Sequence, residues 1–320
     1  MIPKTIHYCW LSGEDYPSNI KQCMDTWKSA FQDYRFLKWD ADRFDVESNC
    51  FAAEAYRHRK WAFASDYIRL YALYNLGGIY LDCDVIVKRN FDEFSSHRFF
   101  SAVEYHAKPL MKEKTFDLIN DDGTAKLRNI SKPGFGLQAA IMGSEKGHPF
   151  VRDCLAYYKD RHFVGEDGEY SDKDIAPGIF AMIAEDYGFT YRNERQLLDE
   201  DMLILPSEVL ASSENSVSQN AYAIHCCDGS WREGPGHWQL SALRSCQRKI
   251  KKRMPKLYAV ARSAKNWLAS AGTVVVAARY RGARSSAPVA ASQSLSIASS
   301  PLHKGLAKPL RLGVRLENRP

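Results

Sequence analysis

The 320-residue chain has no apolar run approaching the roughly 20 residues that a membrane-spanning helix needs. Its opening, MIPKTIHYCW, lacks the basic head and apolar core of a secretory leader, so no leader is expected. There are eight cysteines (Cys9, Cys23, Cys50, Cys83, Cys154, Cys226, Cys227 and Cys246) but no pair of C-x-x-C units, which argues against a structural zinc site. Their spacing along so long a chain matches no small disulfide scaffold, and reduced thiols in a cytoplasm are the expectation. Apolar material is not scarce. At 45% hydrophobic and 12% aromatic residues the chain has enough for a sizeable core, which excludes a disordered protein.

Charge is unevenly placed. From Arg244 to the end there are 17 Lys and Arg against one acidic residue, Glu317, whereas the preceding residues carry 27 basic against 37 acidic side chains. The net charge of +6 therefore conceals an acidic body and a strongly basic tail. Leu240, Leu243, Ile250 and Met254 recur among Arg248, Lys249, Lys251, Lys252 and Arg253, the pattern of a basic, weakly amphipathic helix. Such a helix suits an anionic membrane surface and equally a solvated helix closing a domain. No nucleic-acid recognition fold accompanies the charge, so nucleic acid is not expected as a partner. Arg284 to Ser300 is rich in Ala and Ser and reads as disordered. The expected division is a globular body over 1–240, a basic helical extension over 241–282 and a disordered tail over 283–320.

The body is organised around Trp61 to Val87, WAFASDYIRLYALYNLGGIYLDCDVIV. Trp61, Ala64, Ile68, Tyr71 and Leu76 recur at near-helical spacing, and most other positions are apolar, which predicts a largely buried helix. Asp66 and Arg69 lie on one face of it, and charges in such a helix need a partner or a ligand. Gly77 and Gly78 stop the helix, and a glycine pair also lets backbone pass close to a ligand. Ile79, Tyr80 and Leu81 then form a strand that Val85, Ile86 and Val87 are expected to continue. Asp82 and Asp84, flanking Cys83, fall on the same side of an extended chain. Two neighbouring carboxylates disfavour each other's charge unless a cation sits between them, and hard oxygen ligands suit Mg²⁺ or Mn²⁺.

Around this stretch the pattern predicts strands at Ile2 to Leu11, Tyr34 to Trp39, Phe99 to Glu104 and Met202 to Pro206, with helices at Pro17 to Ala30, Val151 to Arg161 and from Ala176. Ala41 to Glu54 reads as irregular and helical by turns. Lys108 to Lys132 is polar and reads as a loop or inserted excursion, the candidate lid or variable segment. The alternation of strands and helices gives an α/β fold, in which ligands bind outside the carboxyl ends of the strands. Trp10 stands at such an end, where an indole either stacks on a base or simply packs. His7 reads as structural. His225 follows an apolar run, and a lone histidine there is either a satisfied core residue or a ligand.

The pattern A-S-D-x-x-R-x-x-x-L-x-x-x-G-G-x-Y-x-D-x-D, from Ala64 (with Ala62 ahead of it) to Asp84, resembles the signature of glycosyltransferase family 32, the DXD-containing sugar transferases that include capsule and mannosyltransferase-like enzymes and are related to the glucosylating domains of large clostridial toxins. Two further pieces are similar: the opening around Ile2 to Trp10, and an H-x-x-x-x-S-W ending at His225, Ser230 and Trp231. The resemblance implies a GT-A-like, Rossmann-related nucleotide-sugar transferase fold. It implies a metal-dependent hexosyltransferase that retains anomeric configuration and uses Mn²⁺ or Mg²⁺. Asp84, Asp82 and His225 would hold the metal, with Asp82 and Asp84 as the catalytic pair. Trp10, Asp66, Arg69, Tyr80, Asp82, Ser230 and Trp231 would line the donor. Many relatives carry Asn ahead of the turn at G-H-P-F, where this chain has Gly136 or Gln138, which leaves the sugar open. The implied donor is a nucleotide sugar, a UDP-sugar rather than a GDP-sugar, and the acceptor a glycan or lipid-linked glycan of capsule, lipopolysaccharide or another surface polysaccharide. The implied location is cytoplasmic, peripheral on the inner face of the membrane.

Two other readings fit parts of the sequence. L-D-C-D-V also matches the nucleophile motif of haloacid-dehalogenase-type phosphotransferases, with Asp82 as the phosphorylated residue, although a helix and Gly77-Gly78 precede it here. A catalytically silent scaffold on a membrane assembly would use the basic tail and leave the acidic pair without a purpose.

Overall fold

A computed structural model describes residues 1–171, 173–211, 218 and 220–226. Ser230, Trp231, the basic extension 241–282 and the tail 283–320 lie outside the described residues, so the expectations placed on them stay expectations. The chain opens β1 (Thr5–Cys9), α1 (Ser18–Ala30), β2 (Arg35–Trp39), α2 (Cys50–Arg57), α3 (Trp61–Leu76), β3 (Gly78–Leu81) and β4 (Val85–Val87). It continues through β5 (Phe99–Tyr105), α4 (Ala107–Lys112), β6 (Phe135–Leu137), β7 (Ile141–Ser144), α5 (Pro149–Tyr158) and α6 (Ala176–Ala184). The described part closes with β8 (Gln196–Leu198), β9 (Met202–Leu205), β10 (Leu210–Ala211) and β11 (Ala223–His225).

The main sheet has the order β2-β1-β3-β7-β5-β9-β8, with β6 attached to β5. The strands β2, β1, β3, β5 and β9 all run parallel, while β7 and β8 run against them. The fold is thus α/β with a mixed sheet, and the carboxyl ends of five strands open onto one edge. A second, smaller sheet has the order β10-β11-β4. On one face of the main sheet Ile68 and Leu73 of α3, Phe150 of α5 and Phe180 of α6 join Tyr80, Met142 and Ile204 in one core. On the other face Trp27 of α1 and Val85, Leu210 and Ala223 of the small sheet join Leu81, Phe100, Ile141 and Leu203 in a second core. Alternation along β3 serves both: Tyr80 points into the first core, Ile79 and Leu81 into the second, and all four residues are buried.

Within the scaffold, leaving the acidic pair aside, sequence expectation and structure part company at four places. First, Val85–Val87 does not extend β3 but leaves the main sheet and pairs with β11. It is held there by α1, whose Trp27 Nε1–H donates to the Val85 carbonyl at 2.7 Å and whose Thr26 Oγ1 accepts from the Val87 N–H at 2.9 Å. Second, α3 buries Phe63, Ala64, Ser65, Asp66, Ile68, Arg69, Leu70, Ala72 and Leu73, whereas Tyr71 and Leu76 are exposed. The apolar stripe inferred from spacing alone is too regular for a helix buried round most of its circumference.

Third, the polar excursion 108–132 is anchored. It holds α4 and a 3₁₀ turn at Thr115–Leu118, and it ends on Lys132, which is 1% exposed. The Lys132 Nζ donates to Leu127 O, Ile130 O and Glu185 Oε1, the last at 2.7 Å. Fourth, the glycine pair approaches protein rather than a ligand. Gly77 and Gly78 adopt φ of +67° and +121°, and a Cβ on Gly78 would stand 2.6 Å from the Thr5 carbonyl oxygen and 2.9 Å from His7 Nε2. Among the described residues, no helix is long and apolar enough to cross a membrane.

Gly78→Ala should therefore cost about 2–4 kcal/mol, since it combines a left-handed backbone with a clash against β1. Urea unfolding of the two proteins measures this, and a loss below about 0.5 kcal/mol would contradict the packing described.

Candidate active site

The acidic pair sits in a turn, not an extended strand. The Asp82 N–H still bonds the Ala140 carbonyl at 2.9 Å, as the last step of β3, and then the Val85 N–H reaches back to the Asp82 carbonyl at 3.1 Å. Turning brings the two carboxylates together more firmly than alternation would. The small sheet supplies the third group. Antiparallel pairing places His225 opposite Val85, and the Cys226 N–H donates to the Asp84 carbonyl at 3.0 Å. The His225 Nε2 then lies 3.3 Å from Asp84 Oδ1 and 4.0 Å from Asp82 Oδ2.

One donor atom from each of Asp82, Asp84 and His225 lies within 4.8 Å of the other two. Neighbouring ligands of an octahedral ion with bonds of about 2.1 Å are about 3 Å apart, so a small contraction would complete three positions. Two carboxylates and an imidazole suit Mn²⁺ or Mg²⁺ with water and phosphate oxygens in the remaining places. The side chains are 25%, 15% and 17% exposed for Asp82, Asp84 and His225, so the group opens to solvent and to ligand.

Behind the triad lies a buried layer set by α3. Arg69 is 3% exposed. Its Nε–H donates to Ser65 O at 3.1 Å, its Nη1 to Ala139 O at 2.7 Å and its Nη2 to Ser65 Oγ at 3.0 Å. Nη2 is also 2.9 Å from Asp66 Oδ1 and 3.5 Å from Asp82 Oδ1, and the guanidinium lies 4.7 Å from the centroid of the Tyr80 ring. The Tyr80 hydroxyl donates to Asp82 Oδ1 at 2.8 Å. Burial pushes the Tyr80 phenol up, so it stays a neutral donor. Burial opposes the charge of Arg69, but Asp82, Tyr80 and Asp66 more than compensate and hold it protonated. Asp66 is pushed up to about 7, by burial first, against the pull of Arg69 and with a further push from Asp82.

The sequence-named residues thus fall into two connected groups, the triad and the Asp66–Arg69–Tyr80 layer, joined through Asp82. Trp10 follows β1 at the same sheet edge; its Nε1–H donates to the Glu14 carbonyl at 2.6 Å and its ring packs 4.7 Å from that of Tyr16. His7 is structural, as expected: Nε2 bonds the Gly77 carbonyl at 2.8 Å, Nδ1 accepts from Trp39 Nε1 at 3.0 Å, and burial pushes it down to about 4. Cys83 donates to the Cys9 carbonyl at 3.3 Å, and burial pushes both thiols up, Cys9 to about 12, so they are packing groups. Gly136 packs under Pro177, and Gln138, fully buried, turns its amide toward the Leu210 carbonyl at 3.5 Å. Sequence reasoning passes over Trp27 and Ala139, which position the turn and the arginine through a ring N–H and a backbone carbonyl. No residue pattern marks such roles in advance. Ser65 is visible as part of the spaced motif.

Residues 17–100 match the family described as "Glycosyltransferase sugar-binding region containing DXD motif". An uncharacterized glycosyltransferase of Acanthamoeba polyphaga mimivirus is 30% identical over 106 residues, which cover 31% of this chain and 42% of that protein. The match thus spans less than half the length of the viral relative. The initiation-specific alpha-1,6-mannosyltransferase of Candida albicans is 24% identical over 287 residues, covering 72% of each chain. Among solved structures, a glycosyltransferase involved in the glycosylation of the major capsid of PBCV-1 is similar with a TM-score of 0.39 and 12% identity, over 74% of this chain and 97% of that one.

The raised Asp66 carboxyl makes a stability prediction. A group protonated more readily when folded contributes stability that is complete below its unfolded value near 3.9 and is lost as pH rises through about 7. The metal-free protein should therefore lose up to about 4 kcal/mol between pH 4 and pH 8 that Asp66→Asn, which cannot ionise, does not lose. Urea unfolding of both proteins across that range tests it; identical pH slopes would be the contrary result.

Proposed function

We propose, for a chain whose residues 17–100 match the DXD-containing glycosyltransferase sugar-binding region, that the protein is a divalent-metal-dependent glycosyltransferase acting on a nucleotide-sugar donor. The single observation that carries the reading is the convergence of Asp82, Asp84 and His225 within 4.8 Å, at the strand ends where α/β sheets bind ligands. A bound Mn²⁺ or Mg²⁺ would screen the donor diphosphate and the charge it gains as the glycosidic bond breaks.

The chain's own residues would do the rest. Tyr80 and Arg69 orient Asp82 and offset part of its charge. Asp66 lies beside them, with a carboxyl that can take or give a hydrogen bond to a sugar hydroxyl near neutral pH. Trp10 would stack on the base, and Ser230 and Trp231 would cover the phosphates. The donor is read as a UDP-sugar and the acceptor as a glycan or lipid-linked glycan of a surface polysaccharide, with anomeric configuration retained. Residues 1–240 would carry the activity, and the basic extension 241–282 would hold it at an anionic membrane surface on the cytoplasmic side. Against the phosphotransferase reading stands the cation held to Asp82: it is Arg69, already engaged with Asp66, in place of a mobile lysine.

Thermal melting in the presence of nucleotide sugars tests the proposal. A UDP-sugar should raise the melting point only when Mn²⁺ is present, since a ligand at 100 times its dissociation constant adds about 2.7 kcal/mol. Asp84→Ala should abolish that rise and lower metal-dependent sugar transfer by at least about 100-fold while melting like the parent protein without ligand. Full metal-dependent activity in Asp84→Ala would refute the assignment.

A further inference from the structure

A cavity of about 410 Å³ lies where the polar excursion meets α5 and α6, and the reading above leaves it unused. Sites for small ligands span about 300–1,000 Å³. Asn129, Ser131, Tyr157, Arg161 and Asp174 bring polar groups to its lining, while Ile179 and Met182 of α6 bring apolar ones. The Arg161 guanidinium lies over the Tyr157 ring at 4.6 Å, donates to Ser171 Oγ at 3.3 Å and stands 4.0 Å from Asp174 Oδ2. One wall is fixed in place. A Cβ on Gly178 would stand 2.2 Å from Ser131 Oγ, so the excursion seats directly on the first turn of α6. At the next residue Lys132 bonds Glu185, which caps the far end of that helix.

Strand and helix directions place the cavity at the edge where the acidic pair lies. β7 ends at Ser144, opposite Gly78 at the amino end of β3. The helix α5 then starts beside that amino edge, where Phe150 packs 4.9 Å from Phe99, the first residue of β5. Its 10 residues rise about 15 Å, which returns the chain to the carboxyl edge. There burial first, and then Asp66, push the Tyr158 phenol up, so the end of α5 stands near the layer behind Asp82. The helix α6 begins at the same edge: Pro177 packs on Gly136, which is opposite Glu104 near the carboxyl end of β5. Three residues past Gly136, the Ala139 carbonyl accepts from Arg69 Nη1. Buried side chains of α3, α5 and α6 share one core with Tyr80, on one face of the main sheet. The cavity and the Asp66–Arg69–Tyr80 layer therefore lie on the same face and at the same edge.

We propose that this cavity binds a neutral hexopyranose unit of the acceptor glycan, set back from the hydroxyl that reacts, which rests on the transferase reading above. A pyranose presents an apolar face of C–H groups and a rim of hydroxyls. Ile179 and Met182 meet the first, and Arg161, Asp174 and Asn129 the second. The Arg161 fork donates and the Asp174 carboxylate accepts, so neighbouring hydroxyls of one ring are satisfied in both senses by charge-assisted hydrogen bonds. The side chains of Arg161 and Asp174 are 32% and 48% exposed, which leaves both open to a ligand. One cation and one anion line the cavity, so an acidic sugar would gain at Arg161 and lose at Asp174. The lining thus selects an uncharged ring. Because the wall formed by Asn129 and Ser131 is already seated on α6, binding requires little ordering of the chain.

The test uses the full chain and a panel of neutral gluco-, manno- and galacto-oligosaccharides, with uronic-acid oligosaccharides as the charged comparison. Binding is read by saturation-transfer NMR without donor, and transfer by release of UDP from UDP-sugars with Mn²⁺. At least one neutral series should bind and accept sugar. Arg161→Gln and Asp174→Asn should each weaken that binding by at least about tenfold and raise the acceptor KM to match. Their kcat, their hydrolysis of donor in water and their Mn²⁺-dependent rise in melting point with donor should stay at the parent's level. Met182→Trp, which fills the cavity from its apolar side, carries the test if a polar variant melts early. Parent-like binding and KM in all three variants overturns the site, as does a protein that binds donor but no neutral oligosaccharide, or that prefers the uronic-acid series. A parent protein that binds neutral oligosaccharide through Arg161 but no nucleotide sugar overturns the transferase reading and leaves the glycan site standing.

Discussion

Two carboxylates, Asp82 and Asp84, are brought together by a turn at the end of β3, and the architecture around them serves to make that arrangement tolerable. Like charges at such range raise each other's energy unless positive charge is shared between them. The protein supplies part of the compensation itself. Arg69 lies 3.5 Å from Asp82, the Tyr80 hydroxyl donates to it at 2.8 Å, and the His225 imidazole lies 3.3 Å from Asp84. Arg69 is also bound to Asp66, so its charge is divided between two acids. The three side chains are partly exposed, so a divalent ion could add its charge from the solvent side.

Each part of the fold has a traceable share in this geometry. The stop at Gly77-Gly78 lets α3 pass directly into β3 against β1, and so sets Arg69 over Tyr80. The exchange of the chain from the main sheet to the small one creates the turn between Asp82 and Asp84. Trp27 and Thr26 of α1 hold β4 after the turn, and the antiparallel ladder between β4 and β11 brings in His225 from far along the sequence. Removing the small sheet would leave the two aspartates without their third partner even if the main sheet were intact.

Much of this is legible in the local pattern of the sequence. The buried helix, its glycine stop, the apolar strand and the paired acids follow from spacing alone, because each depends on residues close in the chain. So does the structural role of His7, since an imidazole inside an apolar strand needs hydrogen-bond partners, which the Gly77 carbonyl and the Trp39 ring N–H provide. What pattern does not yield depends on contacts between distant segments. That Val85 leaves the sheet follows from its bond to Trp27, and nothing in V-I-V distinguishes a continued strand from a new one. The 108–132 segment resembles a solvated loop because its charges are many; the one that fixes it, Lys132, is buried on Glu185. Tyr71 and Leu76 fit a helical stripe yet lie outside the core, since periodicity marks a face only where one face alone is buried.

The most direct measurement is anomalous diffraction at the manganese edge from crystals of the protein grown with Mn²⁺ and UDP. One peak is expected about 2.1 Å from oxygens of Asp82 and Asp84 and from His225 Nε2. A manganese peak elsewhere, or Asp82 and Asp84 closed on Arg69 and other cations with no manganese between them, would contradict the shared-ion basis of the site.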